Sequence, residues 1–160
     1  MNFYQSLGFL VFGSRLKRLS EVFLNDVNRI YKFHNIPFDA SWFPVFYILS
    51  KKQEVSIKEI SGDLNVSHSA VSQLISSLQQ KGLIKSVVSK KDARHKAIAF
   101  TAKGVKLLQK IKPVWNALQE AMQELSNEST QSKKVLDALT VMEKNIQKTG
   151  VFERVEKILK

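Results

Sequence analysis

Residues 55–104 read VSIKEISGDLNVSHSAVSQLISSLQQKGLIKSVVSKKDARHKAIAFTAKG. Ser56-Ile57-Lys58-Glu59 has the spacing of a capping box, in which the hydroxyl and the carboxylate each satisfy an orphan amide, so a helix is expected to run to about Leu64. Asn65 turns the chain, Ser67 can cap a second helix, and Gly82 stops that helix after Lys81. Val71, Leu74, Ile75 and Leu78 form its inward stripe. His68, Ser69, Ser72, Gln73 and Ser76 are left on an outer face without a long apolar group, and such a face cannot be core. Residues 83–89 and 96–100 are β-branched or apolar around the charged tip Lys90-Lys91-Asp92-Ala93-Arg94-His95, which predicts a two-stranded hairpin. Helix, turn, helix and basic hairpin is the order of a winged helix-turn-helix.

The chain has 160 residues and a formal net charge of +11. The surplus is local: residues 1–80 hold 8 basic and 6 acidic groups, 113–160 hold 7 of each, and 81–112 hold 10 basic groups against the single Asp92. That concentration is expected of a surface that meets a polyanion. Cysteine is absent, which excludes disulfides, thiolate metal sites, thiol catalysis and thiol-based redox sensing. The longest apolar runs, residues 7–12 and 42–49, fall well short of the roughly 20 residues that span a bilayer. Arg15, Lys17 and Arg18 follow the first run instead of preceding it, unlike a secretory signal. The expectation is a cytoplasmic protein with no membrane partner.

Outward from the winged helix, Phe9, Phe12, Leu16, Leu19, Phe23, Val27 and Ile30 advance by 3 or 4 and predict one long helix over residues 7–33. Residues 34–40, with Pro37, read as a break, and 41–50 as a short apolar helix with Pro44 in its first turn. Beyond the hairpin, Thr101 can cap a helix striped by Val105, Leu108, Ile111, Trp115, Leu118, Met122 and Leu125, with a kink at Pro113. A polar stretch, 126–132, precedes a helix through Val135, Leu139, Met142 and Ile146, and Gly150 separates a last helical segment, 151–159. The fold class is therefore mainly α: a winged helix-turn-helix with a two-stranded wing, flanked by long helices at both ends. Apolar stripes of this length exceed what a winged helix of about 70 residues covers, and such surfaces mark interfaces. The expected division is an N-terminal dimerisation helix (1–40), a winged helix-turn-helix (41–112) and C-terminal dimerisation helices (113–160), assembled as a homodimer; packing of these helices within one chain is the alternative.

Ile57-Lys58-Glu59-Ile60, Leu64-Asn65-Val66-Ser67, Val71-Ser72-Gln73-Leu74-Ile75, Lys81-Gly82-Leu83-Ile84, Asp92-Ala93-Arg94 and Phe100-Thr101-Ala102-Lys103-Gly104 together resemble the MarR family of bacterial transcriptional regulators. The resemblance implies a homodimer on a pseudo-palindromic operator in double-stranded DNA, and most often a repressor released by a small molecule. It implies that Ser67, His68, Ser69, Ser72, Gln73 and Ser76 lie on the recognition helix, that Arg94 enters the minor groove, and that Asp92 orients it. Elementary chemistry agrees with these roles. Gln73 can pair with the N6/N7 edge of adenine, Ser67 and Ser69 can meet a phosphate at the helix start, and Lys90, Lys91 and Lys96 can neutralise backbone charge. Gln73 and Ser77 depart from the family pattern, where basic residues are frequent, so the contact pattern is this chain's own. The resemblance also implies an effector crevice, for which Trp42, Phe43, Tyr47 and Trp115 are candidates, although aromatic residues at helical spacing are more often plain core.

An enzyme has little support. No P-loop, GxSxG, HExxH or GxGxxG pattern occurs, and His34, His68 and His95 have no partner at metal-ligand spacing, so no catalytic residue, metal or cofactor is expected. A winged helix that contacts protein or RNA without a DNA operator is the alternative reading of the same module.

Overall fold

The structure, a computed structural model, describes residues 3–89 and 96–160. The chain forms two compact units, Met1–Val114 and Trp115–Lys160.

The first unit opens with a departure from the expected single helix. The chain makes α1 (Phe3–Ser6), a 3-10 turn (Gly8–Val11) and only then α2 (Phe12–Phe33). Gly8 adopts φ +55°, a left-handed conformation open to glycine and costly for other residues, and the helix breaks there. After α2 the Asp39 carboxylate accepts from Ser41 N–H at 2.8 Å and caps a 3-10 turn (Ala40–Trp42), which leads into α3 (Phe43–Lys51). Pro44 sits in the first turn of α3, where its missing N–H has no helical partner to lose.

The capping box forms as its spacing requires. Ser56 Oγ accepts from Glu59 N–H at 3.1 Å, Glu59 Oε2 accepts from Ser56 N–H at 2.8 Å, and α4 (Ile57–Leu64) follows. Ser56→Ala is expected to lower stability by about 1 kcal/mol, as for other N-caps. Urea unfolding will show this as a lower midpoint at unchanged slope, whereas an unchanged midpoint would mean that solvent replaces the cap. Asn65 turns the chain at φ +51°, and Ser67 caps α5 (His68–Gln80) by accepting from Ala70 N–H at 3.2 Å.

Strands β1 (Ile84–Val88) and β2 (Lys96–Phe100) pair antiparallel, with Ile84 opposite Phe100 and Val88 opposite Lys96. Val55 adds a bridge on the far side of β2, exchanging backbone bonds with Ile98 at 3.1 and 2.8 Å. The core lies where these elements meet. Val45, Phe46, Ile60, Leu78 and Ile111 are fully buried, and a run of edge-on ring contacts joins Tyr31 to Phe38, Phe38 to Phe46 and Phe46 to Phe100, with centroids 4.9–5.0 Å apart. These rings tie α2, the loop after it, α3 and the wing into one body.

Helix α6 (Ala102–Asn127) stays helical through Pro113, where the sequence suggests a kink. In the second unit, α7 (Thr130–Lys133), α8 (Val135–Lys148) and α9 (Val151–Leu159) follow. The Arg154 guanidinium donates to the carbonyls of Thr149 and Asn145, both at 3.0 Å, and closes the end of α8. No residue of 115–160 is buried, and Leu136, Phe152 and Ile158 are more than 70% exposed. Among the described residues no helix is long and apolar enough to cross a membrane, and no group of three His, Asp or Glu side chains is placed to hold a metal ion.

Candidate nucleic-acid interface

Helix α5 presents two chemically opposite faces. Val71, Ile75 and Leu78 are buried, whereas His68, Ser69, Gln73 and Ser76 are exposed and Ser72 is half-buried. A 13-residue helix is about 20 Å long, and with small polar side chains outward it fits a groove about 12 Å wide. At its start Ser67 Oγ and Ser69 Oγ lie 3.0 Å apart, so two hydroxyls and the free amides of the first turn share one end. Those amides and the positive end of the helix dipole suit an anion.

The wing is held against the other end of α5. Gln79 Nε2 donates to Ser86 Oγ of β1 at 3.0 Å. Gly82 turns the chain at φ +68°, and Thr101 then bonds back across the base of the hairpin. Its N–H donates to Leu83 O at 3.1 Å and its hydroxyl to Gly82 O at 2.6 Å, while Thr101 Oγ1 accepts from Gly104 N–H at 3.1 Å as the cap of α6. Lys103 Nζ donates to Lys81 O at 2.8 Å. Gly104 lies so close to the turn that a Cβ built on it would stand 2.0 Å from Leu83 O. The motifs Lys81-Gly82-Leu83 and Thr101-Ala102-Lys103-Gly104 thus form a clamp that holds the end of α5, the base of the wing and the start of α6 in one frame. Sequence reasoning gives Thr101 its capping role but not this cross-chain one, whose signal is the glycine three residues after a helix-capping threonine.

Lys96 is exposed at the start of β2, opposite Val88, and Lys85 is exposed on β1. The expected wing contacts Lys90, Lys91, Asp92 and Arg94 lie outside the described residues. Of the four aromatic residues proposed for an effector crevice, Trp42 lines a cavity with Phe38, Leu83 and Leu107. Phe43 and Tyr47 are outside that lining; they pack on each other at 5.4 Å and are 41% and 44% exposed. Trp115 is half-buried in the second unit.

Residues 36–95 match the model of the MarR family. Sequence comparison with curated proteins finds no match. Solved structures with the same fold include the transcriptional regulator MOSR of M. tuberculosis in complex with DNA, at 19% identity, TM-score 0.67 and coverage of 84% of this chain and 94% of that one. A MarR/EmrR family transcriptional regulator from Acinetobacter sp. ADP1 aligns at 20% identity and TM-score 0.65, covering 91% of this chain and 96% of its own. The S. aureus MepR–DNA complex aligns at 18% identity and TM-score 0.67, covering 84% and 97%. At these identities the likeness concerns the fold, and it extends beyond the winged helix into the flanking helices. The matched stretch, residues 36–95, carries the helix-turn-helix and the first strand of its wing, and it is there that the chain is similar to the MarR family.

Proposed function

We propose that the chain is a DNA-binding transcriptional regulator that recognises a pseudo-palindromic operator as a homodimer and acts as a repressor released by a small molecule. The observation that carries the reading is the outer face of α5, exposed and free of long apolar groups, clamped beside the wing in the stretch that holds most of the chain's excess positive charge. The similar folds from M. tuberculosis and S. aureus are structures with DNA bound, which supports duplex DNA as the partner.

In this reading Ser67 and Ser69 meet a phosphate at the helix start, and Gln73 reads adenine with His68, Ser72 and Ser76 around it. Lys90, Lys91 and Lys96 neutralise backbone charge, and Arg94, oriented by Asp92, enters a narrow minor groove. Homodimerisation is supported by apolar surface that this single chain leaves in water. Phe9 and Leu10 near the start are 81% and 85% exposed, and the second unit buries no side chain at all. The two-fold axis of a homodimer would set two recognition helices about one DNA turn apart. Residues 1–40 and 113–160 are the segments assigned to that interface, and 41–112 to DNA.

The test is fluorescence anisotropy with a duplex from the region upstream of the chain's own gene and a scrambled duplex of equal composition. The native duplex is expected to bind more tightly, and Arg94→Ala and Gln73→Ala are each expected to lower that affinity about tenfold while changing the scrambled duplex less. Equal binding of both duplexes, or unchanged native affinity in both variants, overturns sequence-specific recognition. Absence of binding at low salt turns the same module toward protein or RNA partners.

A further inference from the structure

Away from the outer face of α5, within the first unit, a cavity of about 700 Å³ opens between the end of α2, the loop after it, the turn after α5 and the first turns of α6. Its apolar wall is Phe38, Leu83 and Leu107, all buried, with Trp42 beside them. Its charged groups are mostly of one sign. Lys32, Lys81, Lys103, Lys106 and Lys110 line it, and the sole carboxylate among the lining residues is Asp39. Asp39 Oδ1 is already taken by the N–H and hydroxyl of Ser41 at 2.8 and 2.5 Å, and Asn28 Oδ1 by Ala40 N–H at 2.7 Å, so what Asn28 still offers is its amide donors. Lys103 is bonded to Lys81 O, and Lys81 Nζ stands 5.2 Å over the Trp42 ring. Among the described residues, none of the five lysines is ion-paired.

Five cations around one concave site repel one another, and within the described lining the single carboxylate of Asp39 offsets only part of their charge. A monoanion leaves most of that charge unmatched, whereas a ligand with two or more negative charges engages several ammonium groups at once, and lysine serves phosphate as a mobile point charge. The apolar wall and the volume, which lies in the range of small-molecule sites, call for a ring system attached to that charge. We propose that this cavity binds a small molecule of the nucleoside diphosphate class: a flat, largely apolar ring bearing a phosphate chain. The ring would lie toward Phe38, Leu83 and Leu107, and the phosphates among Lys32, Lys106 and Lys110. The proposal is independent of DNA binding and is tested on the free protein.

The experiment is isothermal titration of the full chain with ADP, adenosine and benzoate at fixed ionic strength, repeated on the double variants K106A/K110A and K144A/K148A. Both pairs are exposed helix-surface lysines, and the second removes equal charge from α8. A matching thermal midpoint establishes that each variant is folded. ADP is expected to bind, adenosine and benzoate to bind far more weakly, and K106A/K110A to lower ADP affinity about tenfold or more, with K144A/K148A unchanged. No heat with ADP, or adenosine or benzoate binding as tightly as ADP, overturns the proposal. So does equal weakening by both double variants, which would mean diffuse charge attraction. Displacement of ADP by any duplex, together with an equal loss of duplex affinity in K106A/K110A, assigns these lysines to the nucleic-acid surface and overturns it as well.

Discussion

Gly104→Ala is expected to destabilise the chain by about 3 kcal/mol, at the upper end of the cost of overpacking. Alanine ordinarily favours a helix by about 1 kcal/mol over glycine, so on propensity alone the change would help. Here the added Cβ would stand 2.0 Å from Leu83 O, 3.0 Å from Leu83 C and 2.9 Å from Phe100 Cδ1. A flexible side chain can swing aside, but the Leu83 carbonyl is backbone. It follows Gly82 at φ +68° and accepts from both the N–H and the hydroxyl of Thr101. Relief requires α6 to shift from the wing, which breaks those bonds, and the clash outweighs the propensity. Gly62 in α4 is the control, because a Cβ there meets nothing within 4 Å. Gly62→Ala should leave stability unchanged or raise it by up to about 1 kcal/mol. Urea unfolding of both variants decides the matter, and a Gly104→Ala midpoint equal to that of Gly62→Ala would mean that α6 can move away from the turn at no cost.

Duplex binding is expected to collapse with salt. If Lys90, Lys91 and Lys96 each neutralise one phosphate in each protomer of a homodimer, six counterions' worth of contact gives a slope of about −5 in log K against log[salt], and affinity falls about 10³-fold between about 50 and 200 mM. The slope also counts which lysines take part. The 10 basic residues of 81–112 include Lys81, Lys103, Lys106 and Lys110, which line the cavity instead of the outer face of α5. Were those four on the DNA as well, the slope would be more than twice as steep. A shallow slope, below about −2, would remove backbone neutralisation by the wing from the account.

What could be read in the sequence was what local chemistry decides. The capping box at Ser56 and Glu59, the Ser67 cap and the two faces of α5 each depend on residues within one or two turns, and all are present in the structure. β2 falls on the expected residues, 96–100, because the apolar run that follows the charged tip marks where the second strand lies. The break at Gly8 was hidden because one glycine inside a long apolar stripe does not reveal whether it will take a helical φ or a positive one. The bridge of Val55 to Ile98 joins residues 43 apart and has no local signature. The lysine cavity was half visible: Lys103, Lys106 and Lys110 share a helix face by spacing alone, but Lys32 and Lys81 reach it only through the tertiary fold. Of the aromatic residues named for an effector crevice, Trp42 lines this cavity, Phe43 and Tyr47 pack on each other, and Trp115 lies in the second unit.

The bonds across the base of the hairpin also bear on how this protein can change. With Thr101 fastened to Gly82 and Leu83, and Lys103 to Lys81, the chain between them is a closed ring whose ends are fixed independently of what lies inside. Lengthening a loop whose ends are already held costs little, about 0.6 kcal/mol for each doubling. Insertions or deletions at the tip can therefore vary the reach and charge of the wing while α5 and α6 keep their places. Such a frame lets binding preference drift in one short segment without renegotiating the core.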